Sequence, residues 1–168
     1  MGDPGDVRTE LGPLANAVQY ERVTSLITAA IGSGARLVCG GVERPEGLPR
    51  GFFIKPTILC DVTPTMAIAR EEVFGPVLAV MIYRDVAQAV EIANDTIYGL
   101  CGYVLGPPVE ASAVARRLEA GFIMVNRAEG SLEMPFGGYK QSGNGREMGG
   151  HIGLEEFLEV KAIAEDLA

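Results

Sequence analysis

The chain has 168 residues and carries 22 acidic against 14 basic side chains, a net charge of −8, with 48% hydrophobic residues. A chain this acidic has no basic stripe to displace phosphate counterions, which excludes nucleic-acid binding as a primary role. The longest apolar run, Val77 to Ile82, falls far short of the ~20 residues of a membrane span. No basic-then-apolar leader follows Met1. These features point to a cytoplasmic globular protein with no membrane partner, long enough to bury a sizeable core. Cys39, Cys60 and Cys101 are odd in number and widely spaced, each within an apolar stretch. They read as buried structural thiols in a reducing compartment.

Asp3-Pro4-Gly5-Asp6 is loop chemistry, and Gly12-Pro13 leads into a helix. Val18, Arg22-Val23, Leu26-Ile27 and Ala30-Ile31 recur at helical spacing, and Gly32-Ser33-Gly34 supplies the stop. Arg36 to Cys39 reads as a short strand, followed by a loop punctuated by Pro45, Gly47, Pro49 and Gly51. Phe52 to Val62 reads as extended, interrupted by Pro56, and Pro64 to Arg70 as one helical turn. Val77 to Tyr83, apolar without polar alternation, has the signature of a strand buried on both faces. Asp85 is positioned to cap a helix carrying Val86, Ala89-Val90 and Ala93. Leu100 to Leu105 reads as a strand, Val109 to Ala120 as a helix with Gly121 at its C-cap, and Phe122 to Val125 as a further strand. The tail from Gly153 suggests a helical turn, then a strand of weak local preference. Strands alternating with helices predict an α/β fold with a mostly parallel sheet and helices on both faces. No internal repeat or second domain is visible.

Two strings can carry chemistry. In Glu71-Glu72-Val73-Phe74-Gly75-Pro76 a carboxylate precedes an aromatic by two residues, and Gly and Pro fix a turn. In an extended segment positions i and i+2 face the same side, so Glu72 and Phe74 could address one ligand. The acid would accept from sugar hydroxyls while the ring packs on a planar heterocycle. An exposed acidic pair beside a core Phe is the plainer reading. In Pro135-Phe136-Gly137-Gly138 the glycines permit close approach, and Phe136 either covers the core or lines a ligand site. Asn126 suits a local backbone-holding role better than ligand contact.

Other constellations fail. Gly143-Asn144-Gly145 lacks the preceding strand and following helix that a dinucleotide fingerprint needs, and Gly32-Ser33-Gly34 ends a helix rather than opening one. His151 is the only histidine, which excludes a His-based triad and a multi-His metal site. Cys101 stands in an apolar strand with no neighbouring base or cation to activate it. No catalytic residue and no metal ligand is assigned.

Glu71 to Pro76, together with Pro135-Phe136-Gly137-Gly138-Tyr139-Lys140-Gln141-Ser142-Gly143, resembles the C-terminal part of the NAD(P)-dependent aldehyde dehydrogenase superfamily. The resemblance covers nearly all of this chain but only the last third of such a subunit. It implies that Glu72 holds the nicotinamide ribose, Phe74 packs beside the nicotinamide, and Phe136 lines the aldehyde tunnel. It places Asn126 at the end of the strand before the substrate loop, and the loop from Arg127 to Met134 at the tunnel mouth. Charge on that loop is compatible with a small or polar aldehyde, or with plain solvent exposure. Residues 138 to 147 would form a structural run near the active site and subunit contacts.

Members of the superfamily attack the aldehyde with a Cys thiolate, oxidise the adduct to a thioester and hydrolyse it with water activated by a Glu. Those groups, and the dinucleotide-binding domain, lie upstream of the region resembled here. The expectation is therefore a partial catalytic domain over residues 1–152 and a C-terminal oligomerisation segment over 153–168. Alone it would be inactive, with no tight hold on NAD or NADP. The longer enzyme would take a small aldehyde and form a homo-oligomer through its C-terminal strand. Two alternatives remain: a non-catalytic module that self-associates through that strand, and a fragment of a related acyl-phosphate reductase. The complete Glu-Glu-Val-Phe-Gly-Pro string argues against the second.

Overall fold

Helix α1 (Ala17–Gly32) begins where Asn16, in extended backbone, accepts a 2.9 Å hydrogen bond from the Gln19 amide through Oδ1. That bond satisfies one of the amides an α-helix leaves unpaired at its start. Val23, Leu26, Ile27 and Ala30, spaced by three, four and seven residues, form its buried stripe. The helix ends at Ser33, with Gly34 at a φ of +102°, so the sequence places both ends within a residue or two. The computed structural model describes residues 1–166. They fall into two compact units, Met1–Tyr83 and Arg84–Ala168, and each is described by itself.

In the first unit, β1 (Arg36–Cys39) runs antiparallel to β2 (Thr57–Cys60), with an irregularity between Leu37 and Cys39. Strand β2 pairs in parallel with β3 (Val77–Ala79), and α2 (Ala67–Arg70) lies in the connection between them. The core has two parts. Leu26, Ala30, Ala35, Leu59, Val62, Met66 and Ile68 form one, and Val23, Ile27 and Ile54 the other. Val73 and Val77 pack against both. Thr57, 1% exposed, is buried among them; its hydroxyl donates to the Lys55 carbonyl (2.8 Å) and accepts from the Gly41 amide (2.9 Å). Its burial therefore leaves no polar atom unsatisfied.

In the second unit, Asp85 caps α3 (Val86–Asn94) by accepting from the Gln88 amide at 2.8 Å, as the sequence suggests. Strand β4 (Cys101–Val104), helix α4 (Pro108–Ala115) and β5 (Phe122–Val125) make one βαβ unit, Cys101 pairing with Phe122 and Val104 with Val125 in parallel register. Two short strands, β6 (Pro135–Phe136) and β7 (Glu147–Met148), pair antiparallel, with a 3-10 turn over Lys140–Ser142 between them. Helix α5 (His151–Glu155) is the helical turn expected near the C-terminus.

Several details depart from the sequence reading. The α/β class holds, but the sheet is small. The described strands form one three-stranded and two two-stranded sheets, with antiparallel pairs alongside the parallel ones. Strand β3 stops at Ala79 and is not covered on both faces; Leu78 is 57% exposed. Cys39 and Cys101 are exposed and Cys60 half-buried, so the three thiols are not core residues. Helix α4 ends at Ala115, and Gly121 is not its cap. The reason is Asn94, whose side chain donates to the Arg117 carbonyl (2.9 Å) and accepts from the Glu119 amide (2.8 Å). Both groups would otherwise continue the helix. Gly121 is required for another purpose: a Cβ there would run into the Gly137 carbonyl. Beyond α5, residues 159–166 have no regular secondary structure.

Candidate functional site

The Glu71-to-Pro76 string forms the turn between α2 and β3. Glu71 closes α2, its amide bonded to the Ala67 carbonyl at 2.9 Å. The Pro76 carbonyl accepts from the Thr57 amide at 2.8 Å, which ties the far end of the turn to β2. Gly75 is dictated by proximity: a Cβ there would stand 2.9 Å from Cγ2 of Val23, which is completely buried. A methyl group would push the turn off α1, so glycine is what lets the string lie against the helix.

Phe74 sits in the left-handed region, at a φ of +52°. A bulky residue there is a conformational outlier, at a cost of about 1–3 kcal/mol. Phe74 is 71% exposed, and Glu72 is exposed as well. The left-handed step interrupts the extended backbone, so pleat alternation does not govern the directions of Glu72 and Phe74. What unites them is that one anchored turn presents both to solvent.

The anchors come from α1. Gln19 Nε2 donates to the carbonyls of Val73 (2.8 Å) and Phe74 (3.0 Å). Arg22 Nη1 donates to the carbonyls of Glu72 (2.6 Å) and Val73 (3.2 Å), and Nη2 pairs with the Glu71 carboxylate at 3.2 Å. Nothing in the sequence alone marks either as a site residue. Their i, i+3 spacing on the polar side of an amphipathic helix is the only local signal, and it does not reveal which distant segment they grip.

Phe136 belongs to the second unit, on β6, and is half-buried. Its ring meets that of Phe122 in a tilted contact, with centroids 6.0 Å apart. These rings, with Leu132, Met134 and Met148, border a cavity of about 240 Å3 that Gly130 and Ser131 complete. Arg127, Glu129 and Glu133 are not among its lining residues, so the loop contributes its apolar side chains to the hollow and leaves its charged ones outside. Asn126, at a φ of +51°, holds Gly106 at both ends, accepting from its amide (2.9 Å) and donating to its carbonyl (2.8 Å). This is the backbone-holding role favoured from sequence.

The remainder of the glycine-rich run is a hydrogen-bonded scaffold. Lys140 Nζ donates to the carbonyls of Asn94 (2.7 Å) and Thr96 (3.2 Å) and pairs with Glu119 (2.7 Å). Arg146 Nη1 donates to the carbonyls of Gly138, Asn144 and Gly145, and its guanidinium lies over the Tyr139 ring. Among the described residues no group of three or more His, Cys, Asp or Glu side chains could hold a metal ion. No helix of the described residues is long and apolar enough to cross a membrane.

Comparison with known proteins agrees with the motifs. The aldehyde dehydrogenase family model matches residues 1–163. A 3-succinoylsemialdehyde-pyridine dehydrogenase from a Pseudomonas species is 51% identical over 97% of this chain and 34% of its own length. A solved mutant of aldehyde dehydrogenase C from Pseudomonas syringae, complexed with NAD+ and octanal, superposes with a TM-score of 0.92 at 50% identity. The match covers 96% of this chain and 33% of that one. A Mycobacterium tuberculosis aldehyde dehydrogenase complexed with NAD+ gives a TM-score of 0.87 at 44% identity, over 93% of this chain and 32% of that one. The chain thus spans about a third of the length of the relatives it matches. With an oxidoreductase family model over nearly its whole length, and the Glu-Glu-Val-Phe-Gly-Pro turn presented as described, the chain belongs to the aldehyde dehydrogenase family.

Proposed function

We propose that this chain supplies the nicotinamide-side cofactor contacts and part of the aldehyde tunnel of an NAD(P)-dependent enzyme that oxidises an aldehyde to a carboxylate through a Cys thioester. The observation that carries this reading is Phe74: a large aromatic residue left 71% exposed, on a left-handed backbone, two positions from the exposed Glu72. An aromatic in water forfeits roughly 1.5–3 kcal/mol of burial, and the conformation costs more. Strain and exposure together at one residue are what a ligand platform requires. The donor set fits the cofactor, since a carboxylate accepts from a ribose diol and a ring face packs on a planar heterocycle. Bound there, the nicotinamide would supply the two-electron acceptor for aldehyde oxidation. Glu72 would fix the ribose, Phe74 would restrict the ring's position, and Phe136 with Phe122, Leu132 and Met134 would hold the aldehyde's apolar part away from water. The apolar lining supports an aldehyde with a hydrocarbon portion.

Cys39, Cys60 and Cys101 are free, and none has a role in this reading. The chain alone is expected to give no measurable aldehyde oxidation with NAD+ or NADP+. Amide shifts on millimolar NAD+ should instead cluster at residues 71 to 76 and weaken in Glu72→Gln and Phe74→Ala. Shifts elsewhere only, or turnover abolished by Cys101→Ala, would overturn the assignment.

A second reading concerns the tail. Phe157, Val160 and Ile163 are 84%, 95% and 75% exposed, an apolar run that rarely stays bare in a soluble monomer. We infer that residues 153–168 pair with a second copy of the chain, in line with the homo-oligomer expected from sequence. Light scattering at tens of micromolar should give a mass above that of the 17.8 kDa monomer, reduced by deleting residues 153–168. A monomer mass in both would refute it.

A further inference from the structure

We propose that Gln19 and Arg22 are positioning residues for the cofactor turn. They grip its main chain from α1 and hold Phe74 in the left-handed conformation that presents its ring. The inference rests on the assignment of Glu72 and Phe74 to the cofactor.

Three observations converge on it. The two side chains, one helical turn apart, together address three consecutive carbonyls, those of Glu72, Val73 and Phe74. The Val73 carbonyl takes a bond from each, so its two lone pairs are both used. Arg22 also reaches back to the Glu71 carboxylate, so the grip extends through four successive residues. Inside this span lies the one non-glycine residue between Asp61 and Asn126 with a positive φ.

The chemistry explains why such a grip is needed. Left-handed backbone at a Phe is unfavourable by itself, and nothing in the turn's own sequence favours it. Hydrogen bonds from a charged donor are stronger than neutral ones and can offset that cost. Arginine suits the task because its rigid fork bonds a carbonyl through one nitrogen and a carboxylate through another. Close approach of α1 is secured independently by Gly75 against Val23. Glycine sets the distance, and the two polar side chains set the conformation.

The test uses the isotopically labelled chain in four variants. Gln19→Glu keeps the side chain's size but replaces its donor with an acceptor that repels carbonyls. Arg22→Met keeps most of the stem and removes every donor, and Arg22→Lys restores one donor. Glu72→Gln is the comparison, altering a ligand-facing group without touching the grip. In the wild type, Phe74 should show the strong intraresidue Hα–HN contact of a positive φ, with order parameters for residues 72 to 75 of about 0.85. Gln19→Glu and Arg22→Met should weaken that contact and lower the order parameters toward ~0.6, with circular dichroism unchanged. Arg22→Lys should recover them in part. Followed by amide shifts, NAD+ dissociation constants should rise roughly tenfold in Gln19→Glu and Arg22→Met, through loss of neutral amide bonds in the first and of charge-assisted ones in the second. Glu72→Gln should weaken NAD+ while leaving the Phe74 conformation intact.

Unchanged Phe74 backbone in both Gln19→Glu and Arg22→Met would overturn the inference. So would a disordered turn that binds NAD+ as tightly as the wild type. If the wild type itself gives no shift at residues 71 to 76, the cofactor assignment fails and the cofactor half of the inference falls with it. The backbone measurements then still decide the grip. Should Arg22→Met fail to fold, Gln19→Glu, which removes no apolar surface, carries the test.

Discussion

The two units keep their shape by different means. Among the described residues, all the buried hydrophobic ones except Val90 and Ala111 lie in the first unit, around α1 and β2. The second unit has few wholly buried apolar side chains. It depends instead on polar side chains reaching backbone: Asn94 on residues 117 and 119, Lys140 on residues 94 and 96, Asn126 on Gly106, and Arg146 on the glycine-rich run. Burial is non-directional and tolerates small shifts, whereas hydrogen bonds demand geometry. The first unit can therefore carry strain at Phe74. The second is a framework whose apolar faces, such as Tyr103 at 72% and Leu105 at 76% exposure, stay open.

The largest effect should come from the packed side. Ile27 is fully buried, and Ile27→Ala should destabilise the first unit by about 2–5 kcal/mol, read from urea unfolding. If the loss falls below about 1 kcal/mol, the core does not dominate that unit. On the polar side, Asn94→Ala removes two hydrogen bonds at once and should cost about 1–3 kcal/mol. Amide exchange should then quicken around residues 115 to 121 while α1 stays protected. Equal acceleration in both units would show that they do not differ in what holds them together. Smallest of all should be Arg36→Ala. Its 2.9 Å pair with Asp61 joins side chains 63% and 48% exposed, so a change of about 1 kcal/mol or less is expected in thermal unfolding.

Much of this organisation is legible in the residues themselves. Helix α1 and its stop at Gly32-Ser33-Gly34, strands β1 and β5, and the Asp85 cap follow from periodicity and from cap chemistry that acts within a few positions. The Glu-Glu-Val-Phe-Gly-Pro and Pro-Phe-Gly-Gly strings are legible as motifs for the same reason. What escapes is decided at long range. The early end of α4 is set by Asn94, more than twenty positions away, and the turn's conformation by Gln19 and Arg22, from 49 to 55 positions away. Burial misleads too: Leu78, Cys39 and Cys101 have core-like neighbours in sequence, yet the described residues do not cover them. An apolar strand announces that something covers it, without saying whether its own unit does.

Main-chain carbonyls are common to every amino acid, and α1 reads the turn through them. A helix that recognised the Glu72 carboxylate or the Phe74 ring would forbid change at those positions. At residues 72 to 74 α1 holds only backbone, and takes a side chain at Glu71 alone, which leaves the side chains of 72 and 74 free to be exchanged while the loop keeps its course. Positions 72 and 74 are thus a natural place to diversify in a directed-evolution library, because the mould is cast by Gln19 and Arg22 and the contents can vary.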